Sequence, residues 1–153
     1  MKIKIIAVGK IKEEYFKGGI AEYQKRLKSM ADVSLIEVKE VNTNDICKNK
    51  QEEGKNILEK VDENDFVICL EIGGQEMDSI GLASFIQKHY TFSCKTLCFV
   101  SGGSDGLDEG VINKASMHLS FGKFTYPHQL MRLILLEQIY RSMMIINNKA
   151  YHK

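Results

Sequence analysis

The sequence predicts an α/β protein with a mostly parallel sheet that helices cover on both faces. Two observations support this fold class: short apolar segments alternate with segments of helical periodicity, and the apolar segments are continuous rather than alternating. Continuous apolar strands are typical of parallel sheets, because both of their faces are buried. With 153 residues, 44% of them hydrophobic and 27% charged, the chain is expected to form one globular domain, residues 1–153.

Five apolar segments predict the strands of this sheet. The first, IKIIAV, is too short for a signal peptide, and the charged segment KIKEEYFK follows it closely. The third, DFVICLEI, ends at the pair Gly73-Gly74, and the fourth contains the apolar run LCFV. In order, the predicted strands are residues 3–8, 33–38, 65–72, 95–100 and 117–121.

Five other segments predict helices. In the first of them, apolar side chains from Phe16 to Leu27 recur at helical spacing, although Gly18-Gly19 weakens the helix. Asp45 can start the second helix, which is mostly polar, and Asp78 or Ser79 can cap the third. In order, the predicted helices are residues 12–28, 45–61, 79–90, a short turn at 108–114, and 128–146.

Three glycine-containing segments are predicted beyond the carboxyl ends of strands, where parallel sheets bind their ligands. They are residues 73–74, SGGSDG at 101–106 and GKFTYPHQ at 122–129. Glycines let main-chain N–H and C=O groups approach a ligand closely. Around the last segment, Phe121, Phe124 and Tyr126 add aromatic surface, so an adenine ring is expected to bind there. A buried aromatic cluster is the structural alternative.

The segment SGGSDG by itself is compatible with more than one function. It resembles the phosphate-binding SGGxDS loop of the ATP-pyrophosphatase fold, but Gly106 replaces the final serine and the loop follows a late strand. It is neither a Walker loop nor a GxGxxG motif, and it can be a plain structural turn. An adenylating enzyme is therefore one alternative function. A noncatalytic ribosome-binding factor is another, suggested by the small size and the basic ends of the chain.

The charge of the chain is unevenly distributed, although the net charge is only +1. Residues 1–28 carry eight basic and three acidic side chains, giving +5, and residues 122–153 carry five and one, giving +4. The segment between them carries eight basic and sixteen acidic side chains, giving −8. If the two basic segments share a face, they can bind a polyanion such as RNA. Simple solvation of the two ends is the alternative.

The cysteines and the hydropathy of the chain predict neither a metal site nor a membrane contact. The four cysteines, residues 47, 69, 94 and 98, form no CxxC pair, and buried reduced thiols in a cytosolic protein are expected. A zinc site requires closer ligand spacing and nearby histidines. No segment approaches the length that spans a bilayer.

The last predicted helix, HQLMRLILLEQIYRSMMII, is apolar on nearly all sides. A helix on the surface of a globular protein normally has a polar face. A helix that is apolar all round is buried on two sides, which in a chain of this size predicts a homodimer interface. Burial within the core of its own domain is the alternative.

Several of these segments together resemble a known family. LEIGG at 70–74, GGSDG at 102–106, LSFGKFTYPHQLMR at 119–132, EQIYR at 137–141 and the terminal AYHK are similar to the RlmH family. The start, MKIKIIAVGK, is similar as well, so the resemblance covers essentially the whole chain. These proteins are bacterial methyltransferases of large-subunit ribosomal RNA, within the SPOUT superfamily of trefoil-knotted enzymes.

The resemblance implies a C-terminal trefoil knot, a homodimer that packs partly through the last helix, and S-adenosylmethionine as the cofactor, held by main-chain groups. The implied substrate is a pseudouridine of large-subunit (23S) ribosomal RNA, methylated at N3 on the assembled ribosome, in the cytoplasm. The cofactor contacts that the resemblance implies are Leu70, Gly102, Phe121, Gly122, Lys123, Phe124, Thr125 and Tyr126. Gly122 departs from the family, which commonly has serine there.

Basic and aromatic side chains follow the second predicted loop and are the candidates for catalysis. The N3 proton of a uracil-type ring leaves well above neutral pH, so methylation requires a base or a stabilising cation. His128 or His152 is expected to assist proton removal, and Arg132 and Arg141 to hold phosphate or the ring carbonyls. Tyr151 is expected to stack on a base when the C-terminal tail closes over the site.

These candidate side chains can also serve the structure alone. For His128 the alternative is that it merely caps or packs the start of the last helix. Arg141 lies four residues after Glu137 and can form an ion pair with it. Arg132 points to a different face from that pair and is therefore expected to be free for a ligand.

Overall fold

Strands and helices alternate along the whole chain in the computed structural model, which describes residues 1–152. Every strand and helix that the sequence predicts is present, with ends shifted by a few residues. The strands are β1 (Lys2–Val8), β2 (Asp32–Val38), β3 (Asp65–Glu76), β4 (Thr96–Ser101) and β5 (Met117–Ser120). The helices are α1 (Glu14–Leu27), α2 (Ile46–Leu58), α3 (Ser79–Phe92), α4 (Glu109–Lys114) and α5 (His128–Ile146).

The five strands form one sheet in the order β2-β1-β4-β3-β5, and every neighbouring pair is parallel. Helices α1, α3 and α5 cover one face and α2 and α4 cover the other. Successive residues of β1 pack on opposite faces of the sheet. Ile5 packs against α1, α3 and α5, and Ile6 belongs to the cluster on the face covered by α2 and α4. The predicted fold class is therefore confirmed.

The prediction of a strand-end loop at Gly73-Gly74 is wrong, because β3 continues through both glycines to Glu76. The pairing of β3 with β5 shifts register between Leu70 and Gln75. At Gly74 a Cβ atom would lie 2.8 Å from main-chain atoms of His118 and Leu119. This glycine therefore permits close approach of two strands rather than forming a loop.

Helix α5 lies between α1 and α3, and much of its apolar surface belongs to the core of its own domain. Leu135, Leu136, Ile139 and Met143 are fully buried there. Ile134 and several other apolar residues of α5 remain partly exposed, so the predicted homodimer interface stays a prediction. Within residues 1–152 no helix combines the length and apolar character needed to span a bilayer.

The two basic segments of the chain pack against each other, while a common face that binds a polyanion stays a prediction. Helix α1 packs along α5, and Gly19 approaches Leu133 closely enough that a Cβ there would be 3.0 Å from the leucine side chain. The loop before α1 also contacts the first turn of α5, because the main-chain N–H of Lys12 donates to Gln129 Oε1 over 2.8 Å.

The prediction of buried cysteines is right for only two of the four. Cys69 and Cys98 are buried in the sheet, and burial raises the pKa of each thiol to about 12. Cys47 and Cys94 are exposed. Because β4 begins at Thr96, Cys94 precedes the strand and does not share a strand face with Cys98.

Candidate active site

A cavity of about 230 Å³ lies beyond the carboxyl ends of β4 and β5, beside the middle of β3. Three segments supply most of its wall: residues 70–72 of β3, residues 101–107 after β4, and residues 121–126 after β5. His128 and Met131, in the first turn of α5, close another side. The cavity therefore occupies the edge of the sheet at which parallel α/β proteins bind ligands.

The loop after β4 is a tight turn that depends on glycine. The main-chain N–H of Gly106 donates to Gly103 O over 3.2 Å, and Gly106 has a φ of +85°. A Cβ atom at Gly102 would lie 2.8 Å from main-chain atoms of Gly106. The turn is therefore narrow enough to present main-chain groups directly to the cavity.

Helix α2 supports this loop from behind. Asn49 Nδ2 donates to Asp105 Oδ2 over 3.2 Å. Glu53 is only 3% exposed; its Oε1 accepts the N–H of Val41 over 2.9 Å, and its Oε2 would lie 3.1 Å from a Cβ at Gly103. Oε2 has no hydrogen-bond partner within residues 1–152. Burial is the main cause that raises the pKa of this carboxyl, and Glu40 and Asp105 raise it further.

The variant Glu53→Gln is expected to melt a few degrees higher than the wild type at pH 7, and no higher at pH 4. The raised pKa of Glu53 means that its ionisation disfavours the folded state. The wild type therefore loses stability as the pH rises from 4.5, the ordinary pKa of a glutamate carboxyl, through the higher pKa of Glu53 in the folded state. Glutamine does not ionise, so the variant does not lose this stability. Melting temperatures at the two pH values test this. Glu52→Gln, on the exposed side of α2, should have no such pH-dependent effect, and equal shifts for both variants would contradict the interpretation.

The loop after β5 is fixed to β3 through one hydroxyl group. Ser120 Oγ donates to Ile72 O over 3.0 Å and accepts the N–H of Gly122 over 3.2 Å. Gly122 has a φ of +96°, a left-handed conformation that favours glycine. This contact holds the start of the aromatic segment against the cavity.

Most residues that the resemblance implies as cofactor contacts lie in the cavity wall. Those that line it are Leu70, Gly102, Phe121, Gly122, Phe124, Thr125 and Tyr126. Lys123 is exposed and does not line the cavity. Phe124 is 78% exposed and therefore lies at the rim.

The sequence-based choice missed several other residues of the wall. Glu71 lines the cavity, and its Oε2 lies within hydrogen-bond distance of His118 Nδ1, at 2.6 Å; Ser101, Ser104, Leu119 and Met131 also line it. Glu71 and Leu119 belong to the motifs LEIGG and LSFGKF, so these motifs already contained the signal. The Glu71–His118 pair joins β3 to β5, and only the strand order reveals it.

His128 and Arg132 lie in the same part of α5 but differ in what they contact. His128 lines the cavity and also approaches β1, since its Nε2 would be 3.5 Å from a Cβ at Gly9. Arg132 is only 1% exposed; its Nη1 donates to Glu37 Oε1 over 3.2 Å, and its Nη2 donates to Val8 O.

The expectation that Arg132 is free for a ligand is therefore wrong, because α5 covers the ends of β1 and β2. Burial is the main cause that lowers the pKa of its guanidinium, and Glu37 and Glu40 partly counteract this. The contacts of Arg132 instead fix the first turns of α5, and with them His128, against the carboxyl ends of these two strands.

The remaining candidate residues lie at the other end of α5. Arg141 forms a 2.7 Å ion pair with Glu137, as its position four residues later allows, and its role in catalysis stays a prediction. The ring of Tyr151 lies 4.8 Å below the Arg141 guanidinium, and His152 Nδ1 is 3.4 Å from Arg141 Nη1. The Tyr151 hydroxyl also donates to Glu137 Oε1 over 3.3 Å.

In this arrangement the tail does not lie over the cavity of its own chain, and the expectation that it closes over a site stays a prediction. Arg141 and His128 are separated by about 20 Å along α5, at the rise of about 1.5 Å per helical residue. Tyr151 and His152 fold back onto the distant end. Lys153, the last residue of the motif AYHK, lies outside the described residues.

The fold and the cavity are those of a parallel α/β protein whose candidate site is walled mainly by loops at strand ends, with a histidine beside them. The family model described as a predicted SPOUT methyltransferase matches residues 1–152. A solved structure, a probable methylase family protein from Haemophilus influenzae, has a TM-score of 0.56 and covers 99% of this chain and 70% of that chain at 16% identity. At that identity it supports the fold alone.

Several curated proteins are similar over the full length of both chains. Ribosomal RNA large subunit methyltransferase H of Finegoldia magna is 48% identical over 159 aligned residues. The proteins of the same name from Carboxydothermus hydrogenoformans and Lactiplantibacillus plantarum are 47% and 46% identical. The chain therefore belongs to the SPOUT methyltransferases and, within them, to the family of ribosomal RNA large subunit methyltransferase H. As a methyltransferase it is neither an adenylating enzyme nor a noncatalytic factor.

Proposed function

We propose that this enzyme transfers a methyl group from S-adenosylmethionine to N3 of a pseudouridine in large-subunit ribosomal RNA, on the assembled ribosome. The observation that carries the proposal is the cavity at the carboxyl ends of β4 and β5, which has main-chain loops on two sides and His128 on a third. The names of the relatives supply the class of substrate, and the family resemblance of the site motifs supplies the position that is methylated.

The residues of the cavity suit S-adenosylmethionine. Leu70, Leu107, Leu119 and Phe121 provide apolar surface for an adenine ring, and the glycine loop at 102–106 provides main-chain groups within the same wall. The carboxylate of Glu71 adds negative charge to the lining, which favours a cationic ligand. When bound, this cofactor supplies an electrophilic methyl group on a sulfonium.

His128 is the group that we assign to proton removal. Methyl transfer is an in-line displacement, so the protein must place the attacking nitrogen behind the methyl group and exclude water. With the cofactor bound, N3 would take the methyl group in place of its proton, and His128 would accept that proton. Arg132 is a positioning residue in this scheme, because it holds the first turns of α5 to β1 and β2.

The C-terminal tail and Arg141 are proposed to act on the active site of a partner subunit in a homodimer. Within one chain these groups lie about 20 Å along α5 from His128, so they cannot reach the same cavity without unfolding the tail. Apolar residues of α5 that remain partly exposed, such as Leu130 and Ile134, are suited to a subunit contact. Each site then combines the cavity of one protomer with Arg141, Tyr151 and His152 from the other.

Transfer of labelled methyl from S-adenosylmethionine to ribosomes tests the proposed function. The ribosomes come from cells that lack this protein, and free large-subunit RNA is assayed beside them. Label at a pseudouridine of the large-subunit RNA in intact ribosomes, with little in free RNA, is the expected result. Absence of label from both would contradict the proposal, and label on a different base would correct the target.

Complementation between two inactive variants tests the shared site. His128→Ala and the double variant Tyr151→Ala/His152→Ala are each expected to lose most activity as homodimers. When they are co-expressed, half of the dimers are mixed, and each mixed dimer keeps one complete site, so about a quarter of wild-type activity should return. If the tail acts on its own chain instead, a mixed dimer has no complete site and no activity returns.

A further inference from the structure

A groove of about 440 Å³ lies beside the active-site cavity, on the β1 side of His128. Gly9 lines this groove, and a Cβ atom at Gly9 would lie 3.5 Å from His128 Nε2. His128 also lines the cavity of the active site, so Gly9 and His128 lie between the two spaces. A substrate whose reacting base reaches His128 must therefore pass close to this groove.

Three lysines line the groove: Lys10, Lys12 and Lys39. All three are exposed, and none of them forms an ion pair with another described residue. Their positive charge therefore remains available to a ligand. A surface lysine is common, but three unpaired lysines around one concave surface at the edge of an active site form a concentrated positive charge.

Neither carboxylate of the groove, Glu37 or Glu40, forms an ion pair with these lysines, and Glu37 pairs with Arg132 instead. Glu37 accepts a hydrogen bond from Arg132 Nη1 and another, over 2.9 Å, from the main-chain N–H of Ile11. Glu40 Oε2 and Arg132 Nη2 lie against the same face of Gly9, at 3.5 and 3.8 Å from a Cβ placed there. The buried guanidinium thus pairs with Glu37 from the inside, and it lies close enough to Glu40 for the two charges to attract each other.

The main chain that carries the lysines is held in place. The N–H of Gly9 donates to Val38 O over 2.9 Å, which joins the end of β1 to the end of β2. The N–H of Lys12 donates to Gln129 Oε1 over 2.8 Å, which joins the same loop to the first turn of α5. The lysines are therefore positioned by the same turn of helix that positions His128.

We propose that this groove binds phosphate groups of the RNA strand that flanks the target nucleotide. The inference rests on the proposed function, since it assumes that the target base reaches His128. Phosphate contacts from lysine fix the register and orientation of a nucleic acid without reading its sequence. The groove then explains how a protein of nearly zero net charge holds a polyanion: Lys10, Lys12 and Lys39 are concentrated beside the reacting group.

The test compares two triple variants that remove the same charge. Lys10→Gln/Lys12→Gln/Lys39→Gln removes the groove lysines. Lys60→Gln/Lys88→Gln/Lys95→Gln removes three exposed lysines near the opposite edge of the sheet, where β3 and β4 begin. Binding to ribosomes and to protein-free large-subunit RNA is measured over a range of salt concentrations, and S-adenosylmethionine binding is measured by calorimetry.

The groove variant is expected to bind both RNA probes about tenfold or more weakly. The slope of its plot of log affinity against log salt concentration should be smaller in magnitude by about two to three, because about three phosphate contacts are lost. Its S-adenosylmethionine affinity should equal that of the wild type, and the control variant should match the wild type in all three measurements. Equal salt slopes for the two triple variants would overturn the proposal.

Two further outcomes separate the test of the groove from the test of the proposed function. If the groove variant loses affinity for ribosomes but not for protein-free RNA, the partner is an acidic ribosomal protein and the proposal is overturned. If wild-type enzyme methylates neither substrate, the proposed function fails, yet the comparison of salt slopes still decides whether the groove binds RNA phosphates.

Discussion

Replacement of Gly102 by alanine is expected to weaken S-adenosylmethionine binding by about 10- to 100-fold, equivalent to about 1–3 kcal/mol. The added Cβ would lie 2.8 Å from the carbonyl carbon and oxygen of Gly106, which are main-chain atoms of the same tight turn. Neither atom can move away without opening the loop that walls the proposed cofactor site. Calorimetric titration of the purified variant measures the loss directly.

Gly18→Ala is the matched control for this experiment. Gly18 lies in α1, away from the cavity, and a Cβ there meets no atom within 4 Å. Cofactor affinity should be unchanged, and the folded state should be about 0.5–1 kcal/mol more stable, because alanine is favoured over glycine inside a helix. If Gly102→Ala binds the cofactor with wild-type affinity, the loop relaxes around the alanine Cβ, and the tightness of the turn does not determine cofactor affinity.

Arg132→Met is expected to lower the free energy of unfolding by about 2–4 kcal/mol. Methionine fills similar volume but removes the donor to the carbonyl of Val8 and one of the two donors to Glu37, whose other donor is the N–H of Ile11. The loss should fall toward the lower end of the range, because the Glu37 side chain is 32% exposed and water can partly replace the guanidinium. Urea denaturation of the variant and the wild type gives the difference.

Arg26→Met serves as the control, because Arg26 also pairs with a glutamate but on the exposed surface of α1. Its loss should cost far less stability than the loss of Arg132, as is usual for exposed ion pairs. If Arg132→Met retains full stability and yet loses methyl transfer, Arg132 contacts the substrate directly, and our assignment of a positioning role is wrong.

The strands and helices were predictable because each has a local signal. A strand of a parallel sheet is covered on both faces, so β1 and β4 are apolar at consecutive positions, and this pattern is visible without any knowledge of their neighbours. The glycine pair at 73–74 has no local signal that separates a strand end from a close approach between strands. A strand end and a close approach between strands both favour glycine, and only the position of His118 and Leu119 decides between them.

The site was predictable where a motif carries it and unpredictable where distant segments meet. The resemblance places seven residues that line the cavity. The environment of Arg132 depends on Val8 and Glu37, which are far away in sequence, so a helical wheel shows its direction but not the strands beneath it. The tail is a similar case: its motif indicates importance, but only the folded chain shows that it lies beyond the reach of its own cavity.

The hydrogen bond from Arg132 to Val8 joins residues 124 positions apart, and so it links the first strand to the last helix. During synthesis on a ribosome, β1 emerges long before α5 exists. The nascent chain must therefore keep the sheet face beneath α5 uncovered, and the end of β1 uncapped, until α5 has left the exit tunnel. A chain that is terminated before α5 is expected to be both inactive and prone to aggregation.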